Sequence, residues 1–320
     1  MPHTIQPTIG IHMNDDSIDF AVVQGRNVIM KGEAMKTADF PDPTAVIEEI
    51  ASRLLALKVV FPTVKAVGMG LTGFADSRSG TVHSLTNVAG WNDIPIRRIL
   101  TEISGLPAFI DNDAHCATAA EWKFGAGQGF DDLVCIWLGR GVGSGIIADG
   151  RFLRGSNGVA GEIGQSSINY SGRIGHYGNR GAIENYVGTC TIARDARITY
   201  AAAGIARTEA ECSPLALAEY AKMQCPIALQ IWDKIAKKLS TSLANCVYML
   251  NPEAVIMGGE LAEAGEILLT PLRHHLKAQL FYTHYDNLQI IPAELDHDAG
   301  IIGAAHLAAE YLLSENADSE

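Results

Sequence analysis

The sequence predicts an α/β protein of two lobes, internally duplicated, with a ligand cleft between the lobes. Two observations carry this. A hairpin pattern of short apolar runs at residues 8–24 returns at 133–149, where a glycine-rich turn joins its arms, and each copy leads into strands and helices. The chain has 320 residues, 48% of them hydrophobic, which is room for about two domains and material for a core in each. Folds of this kind hold their ligands in the cleft.

Residues 8–11 and 18–24 are β-branched and apolar runs split by a polar turn, and Gly25-Arg26-Asn27 punctuates a third run at 28–30. Asp42-Pro43-Thr44 opens a helix with Ile47, Ile50, Leu54 and Leu57 at helical spacing and with Glu48 and Glu49 near its positive end. A glycine-rich strand at 66–71, a helix at 94–103 stopped by Ser104-Gly105 and a strand at 106–110 complete the order β-β-β-α-β-α-β. A helical stretch at 114–122 follows. Further strands are expected at 133–138, 145–149, 254–257 and 288–292. A long helix at 226–250 carries Ile231, Ile235, Leu239, Leu243, Cys246 and Leu250 on one stripe, which reads as core. The lobes are expected at 1–113 and 114–320, with a C-terminal helix at about 300–320 packing back on the first, and the polar, acidic residues 314–320 are expected to fray.

Lys and Arg number 24 against 36 Asp and Glu, a formal charge of −12, and the basic residues are scattered. Neither nucleic acid nor an anionic membrane is therefore an expected partner, and an anionic ligand must be held locally. Six cysteines at irregular spacings, without a C-x-x-C pair, argue against a disulfide framework and a zinc ribbon. With no leader-like N-terminus and no apolar window near the ~18 residues of a membrane helix, the expected location is the cytoplasm.

Four motifs carry candidate chemistry. Gly139-Arg140-Gly141-Val142-Gly143-Ser144-Gly145 places glycines at alternate positions, where backbone N–H groups can turn inward around a phosphate and Arg140 supplies a cation; the alternative is a tight hairpin turn. Asp111-Asn112-Asp113, between a strand and a helix, offers a general base for a hydroxyl, or else a helix cap. Glu162 and Glu184 each stand beside glycines and suit vicinal sugar hydroxyls, or else are solvated loop acids. Gly258-Gly259 admits a nucleotide base or ribose against the backbone, or forms a strand-to-helix turn.

These motifs occur in one order with Gly68-Met69-Gly70-Leu71-Thr72-Gly73, Gly90-Trp91-Asn92, Ala160-Gly161-Glu162-Ile163-Gly164, Asn251-Pro252-Glu253 and Ala299-Gly300-Ile301-Ile302-Gly303-Ala304-Ala305. Together they resemble the ROK family, sugar kinases and sugar-responsive repressors on the actin-like ATPase, ribonuclease H-like fold, over nearly the whole chain. The resemblance implies Asp113 as general base and a sugar held by Gly73, Asn87, Asn112, Glu162, Gln165 and Glu184. It also implies ATP with Mg²⁺ at Gly139, Arg140, Gly141, Gly143, Gly258 and Gly259, and a homodimer.

Three departures modify that expectation. Where the family carries Asp-x-Gly-Gly-Thr for Mg²⁺ and phosphate, this chain has His12-Met13-Asn14-Asp15-Asp16, so carboxylates stand where an anion belongs. In the second phosphate loop Arg140 replaces threonine. The four places of the family's structural zinc read Gln165, Gly175, Tyr177 and Ala182, with His176 beside them, so no structural zinc and no metal site is expected. The expected function is an ATP-dependent kinase of a hexose or N-acylhexosamine. The alternative is a sugar-binding sensor or partner protein that has lost nucleotide affinity. A repressor needs a helix-turn-helix ahead of the first strand, where about eight residues stand, and is not expected.

Overall fold

A computed structural model of the chain describes residues 6–14, 16–85 and 90–317. They fall into two compact units, Met1–Gln128 with Arg154–Ala160 and His297–Glu320, and Gly129–Leu153 with Gly161–Asp296.

The first unit opens with β1 (Thr8–Met13), β2 (Ser17–Gln24), β3 (Asn27–Lys31) and the two-residue β4 (Met35–Lys36). Helix α1 (Pro43–Val60) follows, its first turn capped by the Asp42 carboxylate accepting from the Ala45 amide, with Pro43 at the first helical position. Then come β5 (Val67–Leu71), a hairpin of β6 (Gly73–Asp76) and β7 (Thr81–Leu85), α2 (Ile96–Ser104), β8 (Ala108–Asn112) and α3 (Asp113–Phe124). Gly105 ends α2 in the left-handed region at φ 64°, which glycine adopts without steric cost. The main sheet has the order β3-β2-β1-β5-β8, with β4 on β2; β1 and β2 are antiparallel, β5 and β8 parallel additions.

The second unit repeats this plan. It contains β9 (Leu133–Leu138), β10 (Val142–Ala148), β11 (Arg151–Phe152), α4 (Glu184–Val187), α5 (Thr189–Ala202), α6 (Pro214–Lys222), α7 (Pro226–Leu250), β12 (Ala254–Gly258), α8 (Glu266–Lys277), α9 (Tyr282–Tyr285) and β13 (Gln289–Pro292). Its sheet order is β11-β10-β9-β12-β13: an antiparallel meander extended by two parallel strands, as in the first unit. The expected duplication is thus present strand for strand. The stripe Ile231, Ile235, Leu239, Leu243 and Cys246 of α7 is buried in this unit's core.

Helix α10 (Ala299–Ala317) returns to the first unit and lies on β1, β5 and α3. The approach is backbone to backbone. A side chain at Gly10 would meet the Ile301 carbonyl, one at Gly68 the Ala304 carbonyl, and one at Gly303 the Cys116 carbonyl on α3. The Thr8 hydroxyl donates to the Ala305 carbonyl at 3.0 Å across the same seam. These glycines are therefore packing surfaces.

Several expected boundaries move. The first unit takes in α3, which packs on α10 and β5, and its first segment runs to Gln128 rather than to Asp113. Strand β8 runs on through Asp111 and Asn112, which are in register with Gly70 and Leu71 of β5. Strand β10 begins at Val142, so Gly143 and Gly145 are paired opposite Trp137 and Cys135 and do not belong to the turn. The β6–β7 hairpin, turned at Gly80 with φ 76°, was not expected; only the Ser-Arg-Ser-Gly run at 77–80 hinted at it. Among the described residues no helix is long and apolar enough to cross a membrane.

Gly68→Ala should destabilise the protein by about 3 kcal/mol or more, because the intruding Cβ meets backbone that cannot swing aside. Urea unfolding measures this. A midpoint equal to that of the wild type would contradict the packing of α10 on β5.

Candidate functional site

The candidate residues divide between the units, and each half has its own geometry. In the first unit, Asn112 ends β8 and caps α3: its Oδ1 accepts from the Ala114 amide at 2.9 Å and the His115 amide at 3.3 Å, while its Nδ2 donates to the Gly73 carbonyl at 3.2 Å. The helix-cap reading of this residue holds, and its side-chain amide is tied to Gly73. Asp113 is the first residue of α3. Its Oδ1 accepts from the Ala114 amide at 2.9 Å and its Oδ2 from the Thr72 hydroxyl at 3.0 Å, leaving the half-buried carboxylate aligned with the helix N-terminus. Asn87 lies outside the described residues.

Asp111, one residue before Asn112, is wholly buried. Its Oδ1 accepts from the Asn112 amide at 2.8 Å and faces His115 Nδ1 at 2.9 Å, and Arg154 Nη1 donates to its Oδ2. Burial alone would push its pKa up, yet the bonds and charges of His115 and Arg154 outweigh burial and hold it below the usual carboxylate range. Burial likewise pulls His115 down, but the bond to Asp111, its charge and the Ala160 carbonyl outweigh it, and the net direction is up.

The turn between β1 and β2 is closed from within. Asn14 Oδ1 accepts from the Asp16 amide at 2.9 Å and the Ser17 amide at 2.7 Å, and the Asn14 amide donates to the Ser17 carbonyl at 2.9 Å. These amides serve an Asx turn. His12 packs its ring on Gly300 of α10, where a Cβ would come within 2.9 Å. Asp15 lies outside the described residues.

In the second unit the glycine turn is confined to Gly139, Arg140 and Gly141, with the Gly139 amide donating to the Gly141 carbonyl at 3.0 Å. Glu184 at the start of α4 accepts from the Val142 amide at 3.0 Å through Oε2, close above Gly141, and its Oε1 from Gln165 Nε2 at 3.3 Å. The structure therefore brings Gly141, Gln165 and Glu184 together. Exposed Glu162 precedes the 3-10 turn Ile163–Gln165, and Ser144 Oγ accepts from the Ile163 amide at 3.2 Å while donating to the Gly161 carbonyl. Arg140 is exposed on the turn. Gly258 and Gly259 have structural reasons of their own: the Trp137 ring lies where a Gly258 side chain would, and Gly259, at φ 83°, meets the Leu138 backbone.

The ROK family pattern matches residues 8–311. The chain belongs to the ROK family. It is 30% identical to the glucokinase of Streptomyces coelicolor over 313 residues, 95% of this chain and 98% of that one. It is 29% identical to the xylose repressor of Caldicellulosiruptor bescii over 78% of this chain and 64% of the repressor. Among solved structures it is similar to the ROK family glucokinase from Streptomyces griseus in complex with glucose and AMPPNP, with a TM-score of 0.82, 28% identity, and coverage of 95% and 99%. The two-lobed actin-like ATPase fold is thereby shared with sugar kinases.

This ROK protein differs at the four places that the family resemblance assigns to zinc. Gln165, Gly175, Tyr177 and Ala182 are poor ligands, and among the described residues no group of three or more His, Cys, Asp or Glu side chains could hold a metal. Hydrogen bonds tie the region together. Asn179 Nδ2 donates to the Gln165 carbonyl at 2.9 Å, the Asn179 carbonyl accepts from the Gly175 amide at 2.6 Å, and residues 167 and 182 form a bridge. Sequence reasoning missed His115 and Arg154, and gave no role to Asn179, to Thr72 or to Asp111 as their buried partner. The i,i+4 spacing of Asp111 and His115 was the one available signal.

Elemental analysis should find no stoichiometric zinc in the purified protein, and chelators should leave its melting temperature unchanged. Asn179→Ala should lower that temperature, as loss of a hydrogen bond worth about 1 kcal/mol requires. One zinc per chain would contradict this.

Proposed function

We propose that this protein is a sugar kinase, moving the terminal phosphoryl group of ATP to a hydroxyl of a hexose or N-acylhexosamine, with Asp113 as general base. The observation that carries this is the setting of Asp113. Thr72 and the Ala114 amide fix its rotamer, and it stands at the tip of a strand beside an asparagine anchored to Gly73. A carboxylate so held can take the hydroxyl proton as the oxygen attacks phosphorus. Asn112, Gly73, Asn87, Glu162, Gln165 and Glu184 are assigned to the sugar; Gly139, Arg140, Gly141, Gly143, Gly258 and Gly259 are assigned to the nucleotide, which enters as substrate with Mg²⁺. The kinship with glucokinases supports the reaction class.

One observation favours a second function, a sugar sensor without phosphoryl transfer. The Asp16 and Ser17 amides turn toward Asn14 Oδ1, and the Val142 amide serves Glu184, so donors that could cradle phosphate are engaged inside the protein. The kinase then depends on Arg140 to meet the nucleotide's charge.

Two substitutions separate these functions. Asp113→Asn should retain hexose binding by calorimetry while turnover falls by about 10²–10⁴, the usual worth of a general base; equal turnover in both proteins would remove Asp113 from that role. Arg140→Thr should weaken ATP·Mg²⁺ binding by roughly ten- to a hundred-fold, as loss of a charge-assisted bond requires. A wild type that binds hexose but no nucleotide at millimolar concentration would establish the sensor instead.

A further inference from the structure

Residues 154–160 leave the second unit after Leu153, join the first unit, and re-enter the second at Gly161, one residue before Glu162. The segment is closed on itself, the Ala160 amide donating to the Arg154 carbonyl at 3.2 Å. Arg78 holds its middle through the Ser156 and Gly155 carbonyls. Both of its ends meet one buried set. At one end Arg154 donates to Asp111 Oδ2; at the other, His115 Nε2 contacts the Ala160 carbonyl at 3.0 Å.

The chemistry of those contacts fixes the state of His115. A carbonyl only accepts, so Nε2 must donate to Ala160; an ionised carboxylate only accepts, so Nδ1 must donate to Asp111. Both ring nitrogens carry protons, and His115 is an imidazolium at 2% exposure, between the Asp111 carboxylate and the segment's end. Its raised pKa agrees with this geometry. A neutral ring that keeps its Nδ1 proton for Asp111 would point a lone pair at the Ala160 carbonyl and release that end.

We propose that His115 and Arg154 are positioning residues for sugar binding: from the buried Asp111 carboxylate they hang the strap 154–160, and with it the chain that continues into Glu162. The proposal rests on the sugar-binding function above. It makes the residue next to Asn112 and Asp113 the anchor for a second sugar-binding segment.

The test uses His115→Gln, Arg154→Gln and Arg154→Lys in the full chain, with hydrogen exchange read on peptides covering 154–163 and hexose affinity read by calorimetry. Glutamine at 115 cannot reach both partners. Exchange in the strap should rise at least about tenfold in His115→Gln, and hexose affinity should fall about tenfold, as loss of a charged hydrogen bond predicts. Hexose KM should rise more than kcat falls. Arg154→Gln should behave alike, and Arg154→Lys, which keeps a charge on Asp111, should recover most of the affinity.

Raising the pH through the elevated pKa of His115 should weaken hexose binding in the wild type and not in His115→Gln. The charged groups acting on His115 are Asp111 from β8 and Arg154 from the strap; Arg154 also acts on Cys116 of α3 and on Glu310 of α10, which pairs with His306. Burial pushes the Cys116 thiol well above its ordinary range, so it stays neutral. Unchanged strap exchange in His115→Gln overturns the proposal, and so does a loosened strap with wild-type affinity. A wild type that binds no hexose overturns the sugar-binding function, while the exchange measurement still decides whether the strap hangs on His115.

Discussion

A carboxylate buried to zero exposure stays ionised only when it is paired, and Asp111 is that constraint here. One of its oxygens orders the Asn112 amide and the His115 ring; the other takes Arg154. The junction of β8 and α3, where Asn112 and Asp113 sit, is therefore set from behind by an ionic group that water cannot reach. In front, Thr72 and Gly73, where β5 gives way to β6, hold the same two side chains. Asn112 and Asp113 are thus held from two sides.

The glycine seam under α10 adds rigidity of another kind. Because Gly10, Gly68 and Gly303 bring backbone against backbone, the helix closes over β1 and β5 with no side chain to yield. The same helix places Gly300 beneath His12, at the position where the resemblance implies an aspartate for Mg²⁺. The ring of His12 and the Asn14-closed turn fit each other and the helix. This end of the first unit is shaped for its own packing.

Much of this was legible in the sequence. The repeated hairpin foretold two sheets of matching order, and period-2 and helical spacing located most strands and the stripe of α7, because those patterns record which face is buried. The family motifs foretold the family, whose pattern matches residues 8–311. What was not legible depends on contacts between distant positions. No local pattern shows that Arg154 meets Asp111, 43 positions away, or that Asn179 bonds the Gln165 carbonyl. The glycines of 139–145 read as one phosphate loop, since alternate glycines look alike whether they turn or pair. The strand was expected from Gly145, and only the register of β10 against β9 shows that it starts at Val142 and includes Gly143.

The central claim, that Asp113 activates a sugar hydroxyl, is tested most directly by a crystal structure of the protein with a hexose and a non-hydrolysable ATP analogue. A sugar hydroxyl within hydrogen-bond distance of the Asp113 carboxylate, directed toward the analogue's terminal phosphate, is the result this account predicts. A hexose bound with Asp113 facing no hydroxyl would contradict it.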